Sequence, residues 1–392
     1  MKIYGIISEF NPFHTGHARI VAAAREMGAD AVVAIMSGNA VQRGELAALD
    51  KYLRAEAATR AGVDLVLELP FPWSAASAEY FARAGVYLAS QMCTDLIFGS
   101  ECGDIDALKN AASLARSEDF REEYRRRIES GERAAGCYFS MLKERGCPEF
   151  SSNDILGIEY IRAACDLGAP LEMHTIRREG ADYNDTELGS SQYPSATAIR
   201  KMWQEFGFED SAKYMPRDAY SVYEKAYFEG EMCDVYQLSR AILTYFRLRS
   251  PSDLSDFAET EGGIANRICT LAHECASLEE LEEKLSTKRY TDAKLRRALL
   301  FSMTEVTREL LGELPEYTTL LAANSKGREL LAANRKSGGI TVVTKPADMP
   351  ADSAQALAAR RLDAIFTLAK NAAELKRRVY EARSVYRIER LF

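Results

Sequence analysis

The apolar run Ile3-Tyr4-Gly5-Ile6-Ile7 leads directly into Glu9-Phe10-Asn11-Pro12-Phe13-His14-Thr15-Gly16-His17, and this join constrains the fold more than any other stretch of the chain. The run reads as a buried strand, and Thr15 to Met27 reads as the helix that follows it. Between them, two of the four histidines stand three residues apart across a glycine turn. A helix N-terminus set at a strand end offers backbone N–H groups and partial positive charge, which favour phosphate. Gly16 would let the backbone approach a nucleotide with no Cβ in the way. The other readings of His-x-Gly-His are a metal pair or two ordinary loop histidines. No nearby Cys or His completes a zinc set, so no metal ligand is assigned.

The alternation continues beyond this turn. Ala31 to Met36 is a second apolar run, broken by Ser37-Gly38-Asn39. Asp50 to Ala61 reads as a helix with Asp50 as N-cap, and Asp64 to Leu69 as a strand stopped by Pro70 and Pro72. Ala75 to Gln91 is helical, Asp95 to Phe98 is a strand ending at Gly99, and Leu171 to Ile176 is a fifth strand. Strands separated by helices predict right-handed crossovers and a parallel sheet, so the fold class is α/β, Rossmann-like and doubly wound. Ligands on such sheets sit beyond the C-terminal strand ends, where the histidine turn, the Ser37 to Glu45 loop and Gly99-Ser100-Glu101 all fall. The charged stretch Glu118 to Arg145 predicts a peripheral helical insertion, within residues 104–150. Ser151 to Asp154 opens a helix through Leu167, and Ser195 begins another. Tyr220 to Leu330 reads as mainly helical, with one short late strand at Gly339 to Thr344. The boundary is placed near 205–215, giving an N-terminal unit of 1–208 and a mainly α-helical C-terminal domain of 209–392.

Composition is that of an ordinary globular protein, and no apolar run approaches the ~20 residues of a membrane span. Eight cysteines lie without a Cys-x-x-Cys pair, and no signal-peptide pattern is visible at Met1, so the expectation is a cytoplasmic protein with reduced thiols and no membrane association. The net charge of −8 argues against a generally basic coat for nucleic acid. From Ala351 onward, however, nine Lys or Arg face five Asp or Glu, with Lys376, Arg377 and Arg378 together and Tyr380 and Tyr386 interleaved. Such a tail suits phosphates and stacked bases, or equally a solvated helix face.

A second element bears on the phosphate reading. Ser195-x-Thr197-x-x-Arg200 sets two hydroxyls at a helix start and a guanidinium one turn on. These groups suit β- and γ-phosphate oxygens and the growing charge of a leaving pyrophosphate, while Ser195 alone could be a simple helix cap. With His-x-Gly-His, this pattern resembles the nucleotidyltransferase superfamily. More closely, Ser8 to His17, Gly38 to Glu45, Asp64 to Pro70, Phe98 to Glu101, Asn153 to Gly157 and Pro194 to Lys201 resemble the tRNA(Met) cytidine acetate ligase family. The C-terminal half resembles it more loosely. Lys326 to Leu331 is kept, but Ala322-Ala323-Asn324 departs from the pattern.

The resemblance implies a sheet of nucleotidyltransferase type and a two-step reaction. Acetate attacks the α-phosphate of ATP to give acetyl-adenylate and pyrophosphate. The exocyclic amine of the wobble cytidine of elongator tRNA(Met) then takes the acetyl group, giving N4-acetylcytidine. It implies ATP contacts at Ile7, Ser8, Glu9, Phe10, Asn11, Pro12, Phe13, His14, Thr15, Gly16, His17, Ala18, Arg19 and Ile20, and at Gly99, Asn153 and Arg178, with Arg177 an equal choice beside it. Ser195 and Thr197 join this set through the second motif, and His14, His17 and Arg200 take the catalytic roles, with Mg²⁺ bridging phosphates. Arg43, in Gln42-Arg43-Gly44-Glu45, could touch phosphate or RNA, or the turn could close over the acetyl group; a charged surface turn is the plain alternative. Lys51 and Arg54 share that ambiguity. The candidate RNA contacts are Arg43, Lys376, Arg377 and Arg378. Oligomeric state is left open by the sequence.

Two rivals differ in chemistry. A small-molecule adenylyltransferase, acting on a pantetheine or mononucleotide, would leave some 180 later residues without a purpose. A non-catalytic nucleotide sensor or RNA-binding module would have little need of His14, His17, Ser195, Thr197 and Arg200 together. An aminoacyl-tRNA synthetase is disfavoured, since Arg335-Lys336-Ser337 is a poor match to a Lys-Met-Ser-Lys-Ser loop.

Overall fold

The structure is a computed structural model that describes residues 1–132, 134–178, 194–205, 207–287 and 289–371. Nine strands are described: β1 (Ile3–Ser8), β2 (Ala31–Ser37), β3 (Ala40–Val41), β4 (Glu45–Leu46), β5 (Leu65–Leu69), β6 (Asp95–Ser100), β7 (Glu172–Arg177), β8 (Tyr317–Ala323) and β9 (Thr341–Val343). Seven of them form one sheet in the order β7-β6-β1-β2-β5-β8-β9, and β3 and β4 form a small hairpin. The five strands expected from the first 210 residues run parallel to one another. The order reverses between β1 and β6, which creates the crevice where such sheets take ligands.

Both faces of the sheet are covered, so its central strands are buried throughout rather than alternating with solvent. Their side chains divide between two cores with period two. Ile3, Ile7, Val33, Ile35, Leu65 and Leu67 belong to one. Tyr4, Ile6, Val32, Ala34, Met36 and Val66 belong to the other. The Thr15–Glu26 helix packs on the second face, and the Ala78–Ser90 and Ser152–Leu167 helices pack on the first. Asp50 caps the Lys51–Arg60 helix by accepting from the Tyr52 N–H at 2.8 Å, as its position predicts. The charged stretch is helical, as Glu118–Glu129 and Ala134–Glu144. A third core, built around Phe246, Ile268, Leu281 and Leu299, holds the helices between Ser239 and Thr304 together.

The segment beyond residue 208 is not confined to helices. β8 pairs antiparallel with β5, and β9 pairs parallel with β8. The Thr318 hydroxyl donates to the Glu68 carbonyl at 2.6 Å. A Cβ on Gly327 would lie 2.2 Å from the Asp64 carbonyl oxygen, so the Ser325–Ser337 helix sits directly on the end of β5. The reading of Tyr220 to Leu330 as mainly helical therefore misses β8, a seven-residue apolar run set between Pro315 and Asn324 whose pairing partner lies far back in the chain. Among the described residues, no helix is long and apolar enough to cross a membrane.

Candidate functional site

The turn after β1 folds around its own histidines. The Gly16 N–H donates to His14 Nδ1 at 3.0 Å, and the His14 N–H donates to His17 Nδ1 at 3.2 Å, a reciprocal cap at the start of the Thr15–Glu26 helix. A ring nitrogen that accepts a backbone N–H carries no proton, so each neutral imidazole holds its hydrogen on Nε2. The rings lie 3.9 Å apart between centroids, and Phe10 and Phe13 flank His17. Burial and the Arg178 guanidinium lower the His14 pKa to about 3. Burial, His14 and Arg178 hold His17 well below its ordinary value. Both are therefore neutral donors near pH 7. Gly16 serves the turn itself: a Cβ there would meet the His14 ring at 2.8 Å.

His14 and His17 line a cleft beyond the C-terminal ends of β1 and β6, together with Ile7, Ser8, Glu9, Phe10, Asn11 and Ile20. Thr197 and Arg200, on the Ala196–Glu205 helix, form one wall. Arg200 donates to the Asn11 carbonyl at 2.7 Å and lies 3.6 Å from the Glu45 carboxylate. Gly99, Asn153 and Arg178 form the opposite wall. Glu101 organises that side: it accepts from Asn153 Nδ2 at 2.5 Å and lies 3.7 Å from Arg178. A Cβ on Gly99 would crowd the Arg178 side chain at 3.1 Å, so glycine there leaves the guanidinium its course across the cleft. Among the described residues, Glu9 is the one carboxylate that lines the cleft. Burial raises its pKa against the opposing effects of Arg200 and of the Gln42 N–H it accepts.

Not every residue of the expected set reaches the cleft. Pro12, Phe13, Thr15, Gly16, Ala18 and Arg19 shape the turn and helix behind it without lining it. Between the two adjacent arginines, Arg178 lines the cleft, whereas Arg177 packs over Gly103. Ser195 is buried and accepts the Ala198 N–H at 3.1 Å, the simple capping role. Arg43 and Gln42 line the cleft from the β3–β4 hairpin, which Glu45 ties to both Arg200 and Arg296. Lys51 and Arg54 are not surface groups. Lys51 is buried between Glu68 at 2.8 Å and Asp363 at 3.7 Å, and Arg54 is fully buried. Its guanidinium donates to the carbonyls of Glu9, Ser37, Gly38 and Leu49. That clamp fixes the ends of β1 and β2 and the turn at Phe10, which sits at φ 45° in the left-handed region. Lys376, Arg377 and Arg378 lie outside the described residues.

Several lining residues are not among the expected contacts, Phe81, Leu156 and Tyr160 among them. Leu156 and Tyr160 follow Asn153 at helical spacing on the Ser152–Leu167 helix, so one face carries all three. That periodicity was the available signal, although it reads equally as core. A separate grouping, Asp95, Glu172 and His174, sits at the far edge of the sheet between β6 and β7. There His174 is paired with Asp95 at 2.8 Å.

Comparison with known proteins bears on this geometry. A model of the HIGH nucleotidyl transferase family matches residues 1–381. A tRNA(Met) cytidine acetate ligase of Clostridium perfringens is 35% identical over 379 residues, covering 90% of this chain and 92% of that relative. The crystal structure of Thermotoga maritima TmcAL in its apo form superposes with a TM-score of 0.84 at 33% identity, covering 93% of this chain and 92% of that one. The same protein bound with alpha-thio ATP gives a TM-score of 0.82 at 31% identity, with the same coverage.

Proposed function

We propose a reaction from the premise that the chain belongs to the HIGH nucleotidyltransferase family and, within it, to the tRNA(Met) cytidine acetate ligases. It is an ATP-using ligase that transfers acetate to a cytidine of tRNA(Met). In the first step an acetate oxygen forms a bond to the α-phosphorus of ATP while the bond to the β-phosphate oxygen breaks, releasing pyrophosphate. In the second, the N4 amine of the wobble cytidine of elongator tRNA(Met) attacks the acetyl carbonyl, loses a proton and expels AMP.

The observation that carries this reading is the reciprocal histidine cap. It commits both Nδ1 atoms to backbone N–H groups and leaves two Nε2 hydrogens for the oxygens of the α-phosphate. Charge builds on those oxygens in the transition state, where fixed donors are most effective. Arg178 and Arg200, from opposite walls, meet the triphosphate, and Thr197 adds a hydroxyl at the helix start. Asn153 and Gly99 take the adenosine. Mg²⁺, which binds through phosphate and water with few protein carboxylates, suits a cleft whose single lining carboxylate among the described residues is Glu9. Bound there, it would neutralise phosphate charge. Arg43, at the same cleft, and the basic stretch at Lys376, Arg377 and Arg378 supply contacts to the tRNA backbone in a cytoplasmic enzyme.

Acetate-dependent exchange of pyrophosphate into ATP tests the first step. Exchange that appears only with acetate supports it. No exchange with acetate, but turnover with a pantetheine or mononucleotide, would replace it with a small-molecule adenylyltransferase. Loss of N4-acetylcytidine from elongator tRNA(Met) in cells lacking the gene tests the second.

A further inference from the structure

Two polar side-chain atoms that belong to cleft-lining residues are buried and have no hydrogen-bond partner among the described residues: Asn11 Nδ2 and the Tyr160 hydroxyl. Each residue is only 2% exposed. A buried donor without a partner lowers the stability of the folded chain, so its presence at a ligand cleft calls for a ligand that pairs it. The orientation of Asn11 is set by its other atoms. Oδ1 accepts the Ala48 N–H at 2.9 Å, which leaves the amide N–H₂ as the group without a partner.

Tyr160 stands two helical turns beyond Asn153, and its ring meets Phe98 edge-on at 5.6 Å. The apolar part of the cleft lining comprises Phe98 and, among others, Ile7, Phe81 and Leu156. These walls have little room to yield. A Cβ on Gly85 would strike Ile7 at 2.9 Å, and one on Gly157 would strike Phe98 at 2.5 Å. Both side chains are therefore already seated against backbone. Burial and the nearby Glu9 keep the phenol protonated, hence a donor. Among the described residues the cleft lining favours anions, with Arg43, Arg178 and Arg200 against the carboxylate of Glu9.

We propose that Tyr160, with Ile7, Phe81 and Leu156, forms the acyl subsite: its hydroxyl, assisted by the Asn11 amide, donates to the carboxylate of a two-carbon acid, and the apolar walls enclose the methyl group. This rests on the acetate-ligase reading above. Tyr160 is then a specificity-determining contact that also holds the carboxylate for attack on the α-phosphate. Small, rigid walls explain selection of a short acid, since each added methylene would have to displace a packed side chain.

The test is pyrophosphate exchange by the full chain, titrated separately in acetate and ATP. Tyr160→Phe is expected to raise the KM for acetate about tenfold, the effect of one hydrogen bond to a charged group, and to leave the KM for ATP unchanged. Its melting temperature without ligands should match or exceed that of the parent chain, because the substitution removes a buried hydroxyl that has no partner. Leu156→Ala should raise the ratio of propionate to acetate kcat/KM. An unchanged acetate KM in Tyr160→Phe, or a rise in the ATP KM instead, would overturn the assignment. If the parent chain shows no acetate-dependent exchange, the parent reading itself fails, an outcome distinct from a variant that matches an active parent.

Discussion

His14 and His17 are two imidazoles whose chemistry is set by what their backbone does to them. Their Nδ1 atoms are occupied by N–H groups of their own turn, and burial keeps them uncharged. Replacing His17 by Ala should leave the fold intact and reduce adenylation on the order of 10²-fold or more, the usual effect of removing a transition-state donor; near-parental exchange rates would take His17 out of the mechanism. The depressed pKa values also make a stability prediction. Below the ordinary histidine value of 6.5 the unfolded chain takes up protons that the folded chain refuses until about pH 3 for His14. The unfolded state binds more protons in that window, so stability falls as pH drops through it. Denaturant titrations at pH 7, 5.5 and 4 should show a shallower fall in His14→Asn than in the parent chain. The strand–turn–helix join was legible in the sequence because a strand end, a glycine and two histidines are local signals. The tautomers were not, since they follow from which N–H reaches which ring nitrogen.

Arg54 shows what an element contributes beyond its helix. The sequence leaves it among charged positions near a loop, yet it is fully buried, and its guanidinium joins the carbonyl ends of β1 and β2 to the start of its own helix. A lone charged residue gives no sign in sequence of pointing inward, because the carbonyls that receive it come from Glu9 and Ser37, far along the chain. Substitution by Lys keeps the charge but loses the planar fork. Arg54→Lys should lower stability by about 3 kcal/mol, the equivalent of one or two charge-assisted hydrogen bonds, and reduce exchange further still as the Phe10 turn loosens. Chemical denaturation alongside the exchange assay would check both; equal stability would show that the clamp is dispensable. The strand-helix alternation itself was readable element by element, since periodicity and Pro or Gly stops are written locally. The β3–β4 hairpin was not, being two residues on each side and held by Glu45 reaching Arg200 and Arg296.

At the scale of the molecule, the late segment does more than extend the chain. β8 covers the β5 edge of the parallel sheet, and the Ala354–Asn371 helix brings Asp363 to the buried Lys51 and Glu68 beside the loop after β2. Asn39, in that loop, donates to Asp363 at 3.0 Å, and Phe366 packs with Val41 and Ala47. The helix that precedes the basic tail thus rests on the loop that carries Gln42 and Arg43 into the cleft. The boundary near 208 was drawn from the end of the strand-helix alternation. The return of β8 was not legible, because pairing over some 250 residues leaves no local trace. A chain ending at residue 208 would expose the β5 edge and strand Lys51 and Glu68 without Asp363, and both losses oppose independent folding. Such a fragment should be aggregated or lack a cooperative melt by circular dichroism, even though every described residue that lines the cleft is present in it. A soluble fragment that melts cooperatively and binds ATP would instead show that the first 208 residues form a self-sufficient unit to which the later strands merely dock.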